Sequence, residues 1–278
     1  MPVIVSAKTV FPEHYYPQKT LLEAAQQEWK VKRASIVKPL EQFYTNVKVK
    51  GRYLAWPLER YKEPSTFEER NNAYIETALD LGQQTICALL DDVQISPQEI
   101  DQLSIVSTTG IAVPSLDARL MNRIPFSRRM KRLPLFGLGC MGGAAGIART
   151  ADYLQGHPQD AVILLAIELC SLTIQRDDLS LANLVASGLF GDGAAAVLMV
   201  AIRTTWGSNW RSWLCHCCTL PTLPPQCSAS PTLCCGAIAS AARSRRWKKI
   251  IPTCQRRPGL GMQIKFVISK TYFPDGGS

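Results

Sequence analysis

Two apolar runs, AVILLAIEL over residues 161–169 and AAAVLMVAI over residues 194–202, place the strongest constraint on how this chain folds. Each run has the length of a strand and lacks an alternation of apolar and polar residues, which is typical of strands covered on both faces. A membrane-spanning helix needs about 18 apolar residues in succession, and neither run approaches that length. The runs therefore predict a sheet covered on both faces and no membrane span.

Helical patterns alternate with strand-like segments along the first 200 residues. Ser65 or Thr66 is suited to cap a long helix, and Ser96 with Glu99 forms a capping-box pattern with proline at the first helical position. Helices are predicted over residues 20–33, 66–91, 115–122 and 141–155, and further strands over residues 103–108 and 133–138. This alternation implies βαβ units, so the expected fold class is α/β with a largely parallel sheet.

Charge and cysteine content divide the chain into two parts. Residues 1–200 carry 20 Lys+Arg and 21 Asp+Glu, whereas residues 201–278 carry 11 Lys+Arg and one Asp, which together give the net charge of +9. Seven of the ten cysteines also lie in the second part. We therefore predict an enzyme-like domain over residues 1–200 and an irregular, basic, cysteine-rich tail over residues 201–278.

Three interpretations of the tail compete. Cys215 and Cys218, with His216 between them, supply half of a zinc-ligand pattern, but the adjacent pair Cys234 and Cys235 does not complete it. The basic residues are compatible with an arm for nucleic acid or anionic lipid, although such runs are more often simply solvated. We favour the third interpretation, an out-of-frame or disordered segment that begins near codon 200, and expect neither a metal site nor a nucleic-acid partner.

Cys140 lies in the segment FGLGCMGGAAGI, residues 136–147, where a predicted strand ends and a glycine-rich helix begins. The free amides and the positive end of a helix stabilise a thiolate, which is the nucleophilic form of cysteine. The same amides suit a developing oxyanion, and Gly142, Gly143 and Gly146 allow the helix to pack closely. The alternative is a buried structural cysteine, since free cysteine also behaves as a small apolar residue.

Further motifs accompany this segment. They are FPEHYYPQ over residues 11–18, KGRY over 50–53, STTGIAVP over 107–114, GCMGGAAG over 139–146 and LFGDGAAA over 189–196. Together they resemble the amino-terminal half of the type III polyketide synthases, the chalcone and stilbene synthase family, across residues 3–200. The resemblance implies a thiolase-like fold and an acyltransferase that condenses an acyl-CoA starter with malonyl-CoA.

The resemblance also assigns roles to individual residues. Cys140 is implied to accept the acyl group from CoA as a thioester, and Phe190 to be the aromatic gatekeeper between the CoA tunnel and the cavity. Thr108 and Thr173 are implied to line the cavity, and Gly191 lies beside the gatekeeper at a substrate-binding position. CoA thioesters are then substrates, and no separate cofactor is expected.

Other positions follow the family less closely. Lys50 and Arg52 lie near the segment that contacts CoA phosphates in relatives, although a solvated surface is an equal alternative. Val113 takes the place of a methionine that crosses the dimer interface in plant members, while ordinary core packing explains Val113 and Phe190 equally well. The resemblance further implies a cytoplasmic homodimer.

The catalytic histidine and asparagine of the family have no visible counterpart, because the family supplies both from its carboxyl-terminal half. The histidines here are His14, His157 and His216, and His157 lies a helix length, about 25 Å, from Cys140. We therefore expect impaired condensation by this chain. The alternatives are a non-catalytic truncated homologue and a CoA-primed ketoacyl-carrier-protein synthase of the same superfamily.

Overall fold

A computed structural model describes residues 1–30, 37–178 and 180–201. The interpretations of the tail, including the zinc pattern at Cys215 and Cys218, lie outside the described residues, as does the end of the helix expected over residues 20–33. Among the helices of the described segments, none combines the length and the apolar character that crossing a bilayer requires.

Strands and helices alternate along the described chain. The strands are β1 (Pro2–Val10), β2 (His14–Pro17), β3 (Gly51–Leu54), β4 (Gln102–Ser107), β5 (Lys131–Phe136), β6 (Ala161–Leu169) and β7 (Asp192–Ala201). The α-helices are α1 (Gln18–Lys30), α2 (Val37–Asn46), α3 (Phe67–Val93), α4 (Leu116–Leu120), α5 (Gly142–Gly156) and α6 (Leu181–Leu189). Short 3₁₀ turns span Leu58–Lys62, Pro97–Glu99, Gly139–Met141 and Cys170–Thr173.

Five of the strands form one sheet in the order β1-β7-β6-β4-β5, and β2 pairs with β3 in a separate hairpin. β4 pairs in parallel with both β5 and β6, whereas β7 is antiparallel to β6 and to β1. Four of the five strands therefore run in one direction, and β7 is reversed. This mostly parallel sheet confirms the predicted α/β class.

Helices α3 and α5 cover opposite faces of the central strand β6. A Cβ on Gly82 of α3 would lie 3.3 Å from Leu165 Cδ2, and a Cβ on Gly146 of α5 would lie 2.7 Å from Leu164 Cδ1. Because neighbouring residues of a strand point to opposite faces, the two helices lie on different sides of the sheet. This arrangement confirms that the apolar run of β6 is covered on both faces.

The predicted capping box at Ser96 is present, and Thr66, one of the two predicted caps of α3, forms a further box with Glu69. Thr66 Oγ1 accepts a hydrogen bond from Glu69 N (3.1 Å), and Thr66 N donates to Glu69 Oε2 (2.8 Å), which closes the start of α3. The box of Ser96 with Glu99 opens a single 3₁₀ turn and no α-helix, because the chain enters β4 soon afterwards.

The close approach of α5 to the sheet yields a stability prediction. Replacing Gly146 with alanine places a methyl group against Leu164 and Val106, and we expect this overpacking to lower the free energy of unfolding by about 1–3 kcal/mol. Gly156→Ala is the matched control on the same helix, because a Cβ there meets no atom within 4 Å. Urea denaturation measures the free energy of unfolding of both variants. A Gly146→Ala protein as stable as the Gly156→Ala control would contradict the close packing of α5 on the sheet.

Candidate active site at one edge of the sheet

The predicted site residues follow strand ends that meet at one edge of the sheet. Ser107 pairs with Phe136 at the carboxyl ends of the parallel strands β4 and β5, and β6 runs parallel to β4. Because β7 is antiparallel, its first residue, Asp192, pairs with Leu169 at the end of β6. The residues on segments that emerge at this edge are Thr108, Cys140, Thr173, Phe190 and Gly191. The carboxyl ends of strands are where open α/β sheets bind ligands.

Cys140 lies in the 3₁₀ turn between β5 and α5, and its side chain is exposed. The chain enters this turn through Gly137 and Gly139, whose φ angles of +81° and +53° lie in the left-handed region that favours glycine. No side chain caps the start of α5, so the positive end of a helix of 15 residues lies beside the cysteine. The alternative of a buried structural cysteine is wrong.

The half-buried carboxyl group of Glu168 binds one of the predicted cavity residues, Thr108. Thr108 donates to Glu168 Oε1 from its backbone N (3.1 Å) and from its hydroxyl (2.9 Å). Burial raises the pKa of Glu168, and hydrogen bonds from Thr109 and Thr108 oppose this rise. These two hydrogen bonds fix Thr108 just after the end of β4. They also keep the titratable carboxyl group of Glu168 beside the site edge of the sheet.

The 3₁₀ turn after β6 brings a second cysteine toward the site. Burial raises the pKa of the Cys170 thiol, and the neighbouring carboxylates of Asp192 and Glu168 act in the same direction. A thiol that holds its proton is a poor nucleophile, so Cys170 does not compete with Cys140 for an electrophile. Thr173 has an exposed side chain and closes the turn by donating from its hydroxyl to the Cys170 carbonyl oxygen (2.8 Å).

Arg52 lies in the interior behind the gatekeeper position. Its Nη1 donates to the Phe190 carbonyl oxygen (2.9 Å), its Nε donates to Gln18 Oε1 (3.2 Å), and the guanidinium lies over the Tyr44 ring. Burial lowers the pKa of Arg52, whose residue surface is 6% exposed. This position does not suit the CoA-phosphate contact expected of Arg52; Lys50 is exposed, and its contact stays a prediction.

Phe190 and Gly191 connect α6 to β7. Phe190 is 36% exposed and follows the last residue of α6. A Cβ at Gly191 would lie 3.2 Å from Arg52 Cβ, so the close approach of β3 favours glycine at this position. The aromatic ring is therefore carried by a short link that the Arg52 hydrogen bond holds in place.

Apolar side chains are exposed near the cysteine in the chain and on the loop between β4 and α4. Met141 is 70% exposed, Phe136 is 64% exposed, and Val113 is 86% exposed. Ordinary core packing therefore does not account for Val113 within the described part of the chain. An apolar surface beside a thiol suits either an apolar substrate or a covering protein surface.

Asp192 is the centre of a buried polar network behind the edge. Its carboxylate accepts hydrogen bonds from Ser171 N (2.8 Å), from Ala55 N (2.7 Å) and from the Ser171 hydroxyl, which also contacts the Tyr61 hydroxyl (2.5 Å). Burial raises the pKa of Asp192 to about 6, while these hydrogen bonds act against the rise. The network ties together the turn after β6, the end of β3 and the start of β7.

Glu168 and Asp192 were not among the predicted site residues, although the sequence carries a signal for both. Glu168 is the one charged residue of the run 161–169, and Asp192 is the one charged residue between positions 180 and 201. An ionisable residue inside an apolar strand must find hydrogen-bond partners when it is buried. Within the described residues, no group of three or more His, Cys, Asp or Glu side chains is placed to hold a metal ion.

The raised pKa of Asp192 yields a pH prediction. The folded protein takes up this proton near pH 6 and the unfolded chain near 3.8, so between these values the folded state binds more protons and gains stability as the pH falls. Relative to Asp192→Asn, which does not titrate, the free energy of unfolding should rise by roughly 2 kcal/mol from about pH 6.5 to about pH 4.5. Urea denaturation of both proteins measures it; a constant or shrinking difference would contradict the buried carboxyl group.

Known proteins share the motifs and the fold. The 1,3,6,8-tetrahydroxynaphthalene synthase of Streptomyces peucetius subsp. caesius is 45% identical over 198 residues, which are 70% of this chain and 51% of that relative. The crystal structure of 1,3,6,8-tetrahydroxynaphthalene synthase from Streptomyces coelicolor A3(2), a bacterial type III polyketide synthase, is 32% identical with a TM-score of 0.67 and covers 71% of this chain and 56% of that chain. PKS-I from the brown alga Ectocarpus siliculosus, 23% identical with a TM-score of 0.66 over 74% of this chain and 57% of that chain, shares the fold.

The extent of these matches defines what the chain contains. It spans about half the length of the relatives that it matches. The family model described as the N-terminal domain of chalcone and stilbene synthases matches residues 2–202, which include the whole sheet and every residue of the edge site. The chain therefore belongs to the chalcone and stilbene synthase family of type III polyketide synthases and contains the amino-terminal domain of that family.

Proposed function

We propose that this chain accepts an acyl group from an acyl-CoA as a thioester on Cys140, which is the loading half-reaction of a polyketide-forming acyltransferase. The observation that carries the proposal is the exposed cysteine at the uncapped start of α5. Membership of a family that uses CoA thioesters as substrates supports the choice of acyl donor. The left-handed conformation of the neighbouring Gly137 and Gly139 supports the proposal further, because it forms the sharp turn on which the exposed cysteine lies.

The loading chemistry proceeds at the sulfur atom of Cys140. The thiolate attacks the carbonyl carbon of the acyl-CoA thioester, a bond forms between Sγ and that carbon, and the carbonyl oxygen takes the negative charge. The positive end of α5 beside the cysteine favours this charge, although the N–H groups of Met141 and Gly142 already donate to the carbonyl oxygens of Leu138 and Gly139. The intermediate then expels the CoA thiolate, which takes up the proton that Cys140 released, so the products are acyl-enzyme and free CoA.

The residues around the cysteine are proposed to shape the acyl cavity. Phe190 gates the entrance, and Gly191 lets β3 approach the link that carries it. Thr108, which Glu168 holds, and the exposed Thr173 line the walls. We also propose that a homodimer covers the exposed apolar surface, including Val113.

Extension with malonyl-CoA needs a base and a donor for the enolate, and the described residues around Cys140 do not supply them. His157 follows the end of α5, about 22 Å along the helix from its start, and stacks on Tyr153. His14 pairs with Leu54 in the β2–β3 hairpin. Neither of these described histidines forms a hydrogen bond with Cys140. We therefore propose that this domain performs loading and that condensation requires further residues.

Acyl loading is tested by incubating the purified protein with radiolabelled hexanoyl-CoA. We expect stoichiometric covalent label on the unsubstituted protein and background label on Cys140→Ala, because the thioester forms at Sγ. Cys87→Ala is the matched control, since Cys87 is also exposed but lies on α3. Label that persists on Cys140→Ala, with both variants folded by circular dichroism, would contradict the proposal.

Decarboxylation of malonyl-CoA tests the proposal that condensation requires further residues. Because a positioned general acid or base contributes about 10²–10⁴-fold, we expect the 278-residue protein to release carbon dioxide from malonyl-CoA no faster than a protein-free solution does. The assay measures labelled carbon dioxide from carboxyl-labelled malonyl-CoA. Robust release of carbon dioxide, by the unsubstituted protein or by Cys140→Ala, would show that the chain supplies its own base and donor.

A further inference from the structure

A cavity adjoins the polar network of Asp192 at Ser171. It has a volume of about 280 Å³, is partly open, and is lined mainly by α1, β3, the turn Leu58–Lys62 and the segment after the turn Cys170–Thr173. Ser171 lines it, whereas Cys140, Phe190 and Thr173 do not. This chamber is therefore separate from the proposed acyl site, and its volume is near the lower end for ligand pockets.

The inner walls of the chamber offer apolar surface. Leu21, Leu54, Leu58 and Ile174 come from four different segments of the chain. Apolar atoms account for most of the exposed lining, so the interior favours an apolar group over a polar one.

The polar groups of the interior are already bound within the protein. The Tyr61 hydroxyl contacts the Ser171 hydroxyl, and the Tyr44 hydroxyl donates to the Ser187 carbonyl oxygen (2.9 Å). Arg52 donates to Gln18 Oε1 and to the Phe190 carbonyl oxygen. A charged head group placed deep in the chamber would therefore displace existing hydrogen bonds, which directs the charge of a ligand to the rim.

The charges of the lining favour an anion. Four cationic side chains, Arg52, Lys62, Arg70 and Arg176, line the chamber against one acidic side chain, Glu28. Glu28 forms an ion pair with Arg176 (2.7 Å), and Arg52 is buried and engaged. The positive charge at the rim thus comes from Lys62, which is exposed, and from Arg70, which is half-buried and donates from Nη1 to the Ser65 carbonyl oxygen (3.2 Å), a neutral acceptor that leaves its charge unpaired by a carboxylate of the lining.

The acidic residues near that rim face elsewhere. Glu63 Oε2 lies 3.2 Å from Arg60 Nη1, and Glu69 Oε1 lies 3.9 Å from Arg60 Nη2. The other carboxylate oxygen of Glu69, Oε2, accepts a hydrogen bond from Thr66 N. None of these groups lines the chamber. Lys62 and Arg70 are therefore not neutralised by a carboxylate of the lining itself.

We infer that this chamber binds an unbranched aliphatic carboxylate, with the chain among the apolar walls and the carboxylate at Lys62 and Arg70. An apolar interior with an exposed cationic rim matches this class, because the chain gains from leaving water while the charged head stays at the surface. The inference does not rest on acyl transfer at Cys140.

Isothermal titration calorimetry with butyrate, hexanoate and octanoate tests the chain requirement. Each added methylene should tighten the Kd about fourfold while the chain fills the chamber. Ala24→Phe places a ring among the lining residues and should abolish octanoate binding, whereas Cys140→Ala should leave it unchanged. A Kd that does not depend on chain length would overturn the inference. Octanoate binding that persists in a folded Ala24→Phe protein would overturn it as well.

A pair of double variants tests the rim. Lys62→Ala with Arg70→Ala should weaken octanoate at least tenfold and leave the binding of uncharged octanol unchanged. Lys19→Ala with Arg149→Ala removes two exposed cations that do not line the chamber and should leave octanoate affinity intact. Equal weakening by both pairs would show attraction to net charge alone and would overturn the assignment of Lys62 and Arg70.

Discussion

The contact between the glycine face of α5 and the strands beneath it decides where the reactive thiol lies. Cβ atoms at Gly142 and Gly146 would lie 2.3 Å from Val106 Cγ1 and 2.7 Å from Leu164 Cδ1, so a larger residue would push the helix outward. With glycine at both positions, the start of α5 rests on the sheet near the ends of β4 and β6. Cys140, on the turn before that helix, is consequently held at the sheet edge with the positive helix end beside it.

The candidate site was predictable to the extent that it depends on strand ends. Cys140 was found from its position between a strand and a glycine-rich helix, and the structure places it there. The network around Asp192 was not predictable, because its partners Ala55 and Ser171, and Tyr61 behind Ser171, come from segments whose spacing in the chain does not indicate contact. The buried position of Arg52 depends on the same tertiary packing, which is why a surface role was expected for it.

The fold was predictable wherever one pattern dominated a segment. The run 161–169 is β6 with the same bounds, since continuous apolar sequence of strand length has few alternatives in an α/β domain. β1 was missed because it is an edge strand with an irregular register between Ile4 and Ser6, which weakens the alternation. α6 was missed because LANLVASGL has nine residues and contains Gly188, which has a low helix propensity.

Protection of Cys140 from alkylation tests the central claim, that this thiol is the acyl acceptor. The protein is incubated with hexanoyl-CoA or with buffer, treated briefly with iodoacetamide, and digested for peptide mass spectrometry. We expect hexanoyl-CoA to block alkylation of Cys140 while Cys87, the other exposed cysteine of the described residues, reacts as before. Unchanged alkylation of Cys140, or equal protection of Cys87, would contradict the assignment.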